Sequence, residues 1–127
     1  MRILHVGWGF SPWRPGGLIF YAEDLMAAQV ARGHDVHYFF SGRFYPYVSG
    51  PRLKRWRRGG VAMHEVLNAP LIPGEGEGTR HPERELSERR MEAAFERTLR
   101  RVEPDVVHFQ ELHGLPSSCV DVDLSST

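Results

Sequence analysis

Two adjacent glycines, Gly16 and Gly17, stand just before an apolar periodic run, and no other residues in this sequence are better suited to phosphate chemistry. Lacking Cβ atoms, they let an anion approach the backbone closely, and the free N–H groups and dipole at a helix start favour its charge. The same pair is also compatible with a plain turn. Gly7 and Gly9 lie earlier in the same loop and invite comparison with the dinucleotide fingerprint G-x-G-x-x-G. Pro12 takes the place of the third glycine, and Ser41, Gly42 and Arg43 end the next strand without the carboxylate that would hold a ribose hydroxyl. Arg43 keeps NADP, through its 2′-phosphate, as an alternative. No Gly-Lys-Ser/Thr follows the loop, so the Walker pattern is absent.

Three further groups carry chemical potential. His108, Glu111 and His113 cluster around the end of a late strand, where a ligand's hydroxyls can meet a carboxylate and a proton carrier. The alternative is a polar loop with a satisfied strand-end histidine. Their spacing matches no known metal-ligand pattern, and His5, His34, His37, His64 and His81 are scattered, so no metal is expected. Arg52, Lys54, Arg55, Arg57 and Arg58, with Trp56 among them, form the most basic stretch. It reads as a solvated loop, as a contact for an anionic membrane or a phosphate-bearing lipid, or, with less support, as a nucleic-acid contact. Trp8, Phe10 and Trp13 can stack on sugar rings or pack beneath the loop that bears them.

The bulk numbers narrow these options. The 127 residues suit one domain, and 41% hydrophobic with 25% charged residues is ordinary for a globular chain. Sixteen basic and sixteen acidic residues cancel, leaving no global field to attract nucleic acid. A lone Cys119 excludes an internal disulfide framework. With no signal-like start and no long apolar run, the expectation is a cytoplasmic domain, peripheral at the inner membrane face if the basic stretch binds lipid.

The elements that must position these residues follow from periodicity. Ile3 to Val6 reads as a buried strand, Leu18 to Arg32 as a helix with Leu18, Ala22, Leu25, Met26 and Ala28 apolar, and Val36 to Phe40 as a second strand. Gly33 supplies the left-handed residue that ends the helix. Residues 41–59 read as irregular, residues 60–66 as a third strand, and residues 68–79 as a loop. A charged helix follows from about Pro82 to Val102, with Met91, Phe95, Leu99 and Val102 on one face, and Pro104 stops it. Asp105 to Phe109 is a fourth strand. The order β-α-β-β-α-β predicts an α/β, doubly wound, mostly parallel sheet. Residues 115–120 begin another helix that meets no fifth strand, which predicts a truncated sheet with an exposed flank and an exposed Cys119.

The segments Met1–Gly7, Pro15–Leu18, Ala31–Val36 and Glu103–Gln110 together resemble the N-terminal half of family 4 glycosyltransferases, retaining enzymes of the GT-B fold. The resemblance covers residues 1–42 and 99–119 and extends to the middle only by position. It implies a single partial domain over residues 1–127, Rossmann-like, presenting the acceptor side, with the donor-binding domain absent. It implies glycosyl transfer from a nucleotide-diphosphate sugar, which is a substrate and not a cofactor, to a carbohydrate, lipid-linked or small-molecule acceptor. Gly16 and Gly17 would lie against the donor diphosphate, and Trp13, Glu111 and His113 are acceptor candidates. Gln110 stands where the family often has a second histidine. The family's later histidine and paired glutamates are missing, so the isolated chain is expected to be inactive, with a non-catalytic Rossmann-type nucleotide- or partner-binding module as the rival reading.

Overall fold

In the computed structural model, residues 1–69, 89–110 and Cys119 are described. The first strand, β1 (Arg2–Gly7), is buried along its length after Arg2, as its apolar run requires, and it lies inside the sheet with a parallel neighbour on each side. Helix α1 (Gly17–Ala31) crosses to β2 (Asp35–Ser41). At its end, His34 N–H donates to the Gln29 carbonyl and Gly33 N–H to that of Val30, with Gly33 at φ 86°. That is a Schellman cap, which needs a left-handed residue where the glycine stands.

The stretch expected to be irregular contains a strand. β3 (Arg52–Arg58) pairs antiparallel with β4 (Val61–Leu67), from Arg52 opposite Leu67 to Arg58 opposite Val61. Gly59 and Gly60 join them at φ 56° and 83°. Positive φ at both central residues is the signature of a two-residue hairpin turn, so the Gly-Gly pair was the readable signal. Five basic residues hid the strand, because their intrinsic preference for it is low and cross-strand packing decides the outcome.

Helix α2 (Arg89–Val102) then crosses to β5 (Val106–Phe109), completing the sheet order β3-β4-β2-β1-β5. Among the described residues the chain is therefore α/β, with a five-stranded mixed sheet, parallel except for β3. The expected helix start at 82–88 lies outside the described residues. Met91, Phe95, Leu99 and Val102 are buried, as their spacing predicts. Met91, Phe95 and Leu99 pack with Leu4, Val6, Phe39 and Val66 on one face of the sheet. Cys119 joins this cluster at 0% exposure, a correction to the exposed thiol expected from sequence. On the other face Ala22 and Met26 of α1 meet Val36, Tyr38, Phe40, Val61 and Met63. The buried side of α1 is Ile19, Ala22 and Met26, while Leu18 and Ala28 face solvent. The helix is apolar on more than one side, and period alone did not say which side would pack.

Candidate functional site

The loop after β1 and the start of α1 stand at the carboxyl ends of the parallel strands, the edge where open α/β sheets hold ligands. Gly16 caps α1 with φ 148° and ψ 158°, a conformation essentially reserved for glycine. Among the described residues no side chain caps the helix, and no acidic residue occupies its first turn. A Cβ placed on Gly16 or Gly17 would meet nothing within 4 Å. The first intrahelical bond runs from Phe20 N–H to the Gly16 carbonyl, so the N–H groups of residues 17–19 have no partner within the helix. The pair expected to hold a diphosphate is thus an open, uncapped helix start.

The loop itself is anchored. Tyr38 on β2 donates its hydroxyl to the Gly9 carbonyl and accepts from Gly9 N–H. Gly7 has no room for a side chain, since a Cβ there would come within 2.6 Å of the Tyr38 hydroxyl. Arg14, only 5% exposed, donates to the carbonyls of Trp8 and Ser41 and ties the loop to the end of β2. Its guanidinium lies 4.0 Å from the Trp13 ring centroid and 4.8 Å from that of Trp8. Trp13 also packs against Phe10 and Phe40. Of the two sequence readings for Trp13, packing under the loop describes its position, with one ring face taken by Arg14. Arg14 carried no signal in the sequence beyond its place between aromatic residues.

The basic run divides between two faces of a strand. Trp56 points inward, packs on Phe10, and donates its indole N–H to Glu65 at 3.0 Å. Arg58 donates to the Ser11 carbonyl and lies 3.7 Å from Glu23. Arg52, Lys54, Arg55 and Arg57 are exposed. Glu65 is fully buried on β4 and accepts from the Arg43 backbone N–H and from its Nε and Nη2. Those bonds hold its carboxyl below the usual range against the opposing effect of burial, and they raise the Arg43 pKa in turn. The guanidinium that sequence reading offered to a 2′-phosphate is already engaged by a carboxylate. Gly42 is required here, because a Cβ would overlap the Glu65 side chain.

Two pairs of histidines meet that looked scattered along the sequence. Parallel register sets His5 opposite His108, with ring centroids 5.2 Å apart. His5 Nε2 lies 2.7 Å from Gln29 Oε1, so it carries the proton, and Nδ1 accepts from the Gln110 amide at 2.9 Å. Burial lowers the His5 pKa, which keeps the ring neutral. On the opposite face of the sheet His37 Nδ1 and His64 Nε2 are 2.9 Å apart. Burial, followed by the charges of His37, Arg55, Arg101 and Arg57, lowers the His64 pKa to about 4. Glu111 and His113 lie outside the described residues. Among the described residues no group of three or more His, Cys, Asp or Glu is placed to hold a metal, and no helix is long and apolar enough to cross a membrane.

No protein-family model matches the chain, and no curated protein matches its sequence.

Proposed function

We propose that this chain is the acceptor-side half of a GT-B, family 4-like glycosyltransferase, with Gly16 and Gly17 forming one wall of the donor diphosphate site. The observation that carries this reading is the open, glycine-lined, uncapped start of α1 at the carboxyl edge of the parallel strands. A diphosphate accepts hydrogen bonds from the N–H groups of residues 17–19 and is favoured by the helix dipole. The tightly held loop before it supports the same reading, since fixed backbone donors stabilise a leaving diphosphate without reorganising. Glu111 and His113 follow β5 in sequence and remain the acceptor candidates, as does Trp13, which is half-buried with one ring face taken by Arg14. On this reading a second domain supplies most nucleotide contacts and closes against this edge, where Leu18, Phe20 and Tyr21 are 56%, 50% and 58% exposed. The exposed Arg52, Lys54, Arg55 and Arg57 suit an anionic membrane surface or a phosphate-bearing acceptor.

The rival reading, a non-catalytic Rossmann-type nucleotide- or partner-binding module, shares the same glycines and the same exposed apolar residues. Calorimetric titration of the 127-residue chain with UDP, GDP and NADP separates nucleotide classes. Weak binding of a nucleoside diphosphate, in about the millimolar range expected when one wall supplies part of the contacts, supports the proposal. Tighter binding of NADP than of either diphosphate would overturn it.

A further inference from the structure

Away from the glycine edge, a cavity of about 280 Å³ opens between α1, the loop carrying Phe10, and the β3–β4 hairpin. Its floor is apolar, built from Met26, Tyr38, Val61 and Met63. The Tyr38 hydroxyl is spent on Gly9, both donating and accepting, so the ring presents no polar group below. Two thioethers in the floor give it an adaptable surface for flat or branched groups. The volume sits just under the roughly 300–1,000 Å³ of ordinary ligand pockets, enough for one ring and a short chain.

The rim is polar and unevenly compensated. Glu23 accepts the Ser11 N–H and lies 3.7 Å from Arg58, so its charge is answered within the wall. Arg58 in turn is held by the Ser11 carbonyl and lies 4.6 Å from the Phe10 ring centroid. Asp24, the next residue on α1, lines the same cavity and is exposed, and its carboxylate has no ion pair or hydrogen bond among the described residues. One carboxylate is therefore left over above an apolar floor. Charge complementarity selects a cation, and the floor selects what the cation is attached to.

We propose that this cavity binds a small organic cation, a protonated amine carried on an aryl or branched-alkyl body, with the body on the Met26–Tyr38–Met63 floor and the ammonium at Asp24. The site is separate from the glycine pair and does not depend on the proposed sugar transfer.

Three probes of one shape test it: 2-phenylethylamine, neutral 2-phenylethanol and anionic 3-phenylpropanoate, each titrated into the full chain at neutral pH and followed by amide chemical shifts. The amine is expected to move residues 23–27 and 58–63 saturably and to bind tightest, with the carboxylate weakest. Asp24→Asn, at an exposed and unpartnered position, should weaken the amine about three- to fivefold, the size of one solvent-exposed charge interaction, and leave the alcohol unchanged. Ala27→Trp, on the exposed lip, should block all three while the rest of the spectrum stays native. Equal binding of amine and alcohol, no response to Asp24→Asn, or no saturable shift with any probe would each overturn the proposal. So would shifts at these residues that follow protein concentration alone, which would mean that a second copy of the chain fills the cavity.

Discussion

His64 and Glu65 are neighbours on β4, point to opposite faces of the sheet, and meet opposite electrostatic environments. Glu65 is buried charged, because Arg43 and Trp56 direct four donors at its two oxygens. His64 is buried neutral, first because burial disfavours its charged form and then because His37, Arg55, Arg101 and Arg57 oppose a further positive charge. An unfolded histidine takes up its proton near pH 6.5, whereas folded His64 does so only near 4. Between those values the unfolded chain binds more protons, so stability is lost as pH falls, by roughly 3 kcal/mol across the window. Urea midpoints measured from pH 7 to pH 4 should fall, and His64→Gln should flatten the slope. The lowered pKa values of His5 and Glu65 act in the same direction, so some slope remains in that variant. Glu65→Gln should cost about 2 kcal/mol, less than the roughly 3–5 kcal/mol of a fully buried broken pair because half-buried Arg43 can turn to solvent. A chemical-denaturation curve checks it. Cys119, its thiol pushed up to about 12 by burial and Glu92, should react with a disulfide reagent more slowly in the native chain than in urea, by about an order of magnitude or more.

At the scale of elements, strand β3 changes the meaning of the basic run. In a strand, alternate side chains face opposite sides, so Trp56 and Arg58 belong to the aromatic cluster under the loop while Arg55 and Arg57 face the other way. Arginines along an outer strand also discourage edge pairing with other chains. If this element meets anionic lipid through the face turned away from the aromatic cluster, Arg55 and Arg57 carry the contact and Trp56 does not. Vesicle co-sedimentation should then weaken with the double change Arg55→Gln and Arg57→Gln and be unaffected by Trp56→Phe, which keeps most of the packing. Loss with Trp56→Phe alone would contradict this assignment. Much of the element layout was legible, because β1, β2, β4 and α2 bury the residues their periods select. What was hidden depended on tertiary partners: Leu53, Trp56 and Arg58 form a strand only because β4 lies beside them. His5 meets His108, and His37 meets His64, only through parallel register. Arg14 gave no sign of being a buried strut, whereas the open Gly16 and Gly17 were readable from residue type and place alone.

For the molecule as a whole, the sheet puts its glycine loop and its exposed α1 residues at one edge and its packed layers away from it. β5 pairs with β1, and on its other side no strand is present among the described residues, leaving Val106 44% exposed. A donor held between two walls reacts only when both are present. On the proposed reading, the 127 residues tested by themselves are expected to transfer no sugar from a nucleotide sugar, and measured transfer by the purified chain would contradict that reading. The central claim concerns the helix start. Its most direct test is an amide-resolved titration of the chain with UDP and with GDP, repeated on Gly17→Glu, which sets a carboxylate where the diphosphate should lie. Saturable shifts centred on residues 16–19 are expected for at least one diphosphate, and their loss in the variant. Shifts centred elsewhere, or unchanged by Gly17→Glu, would contradict it.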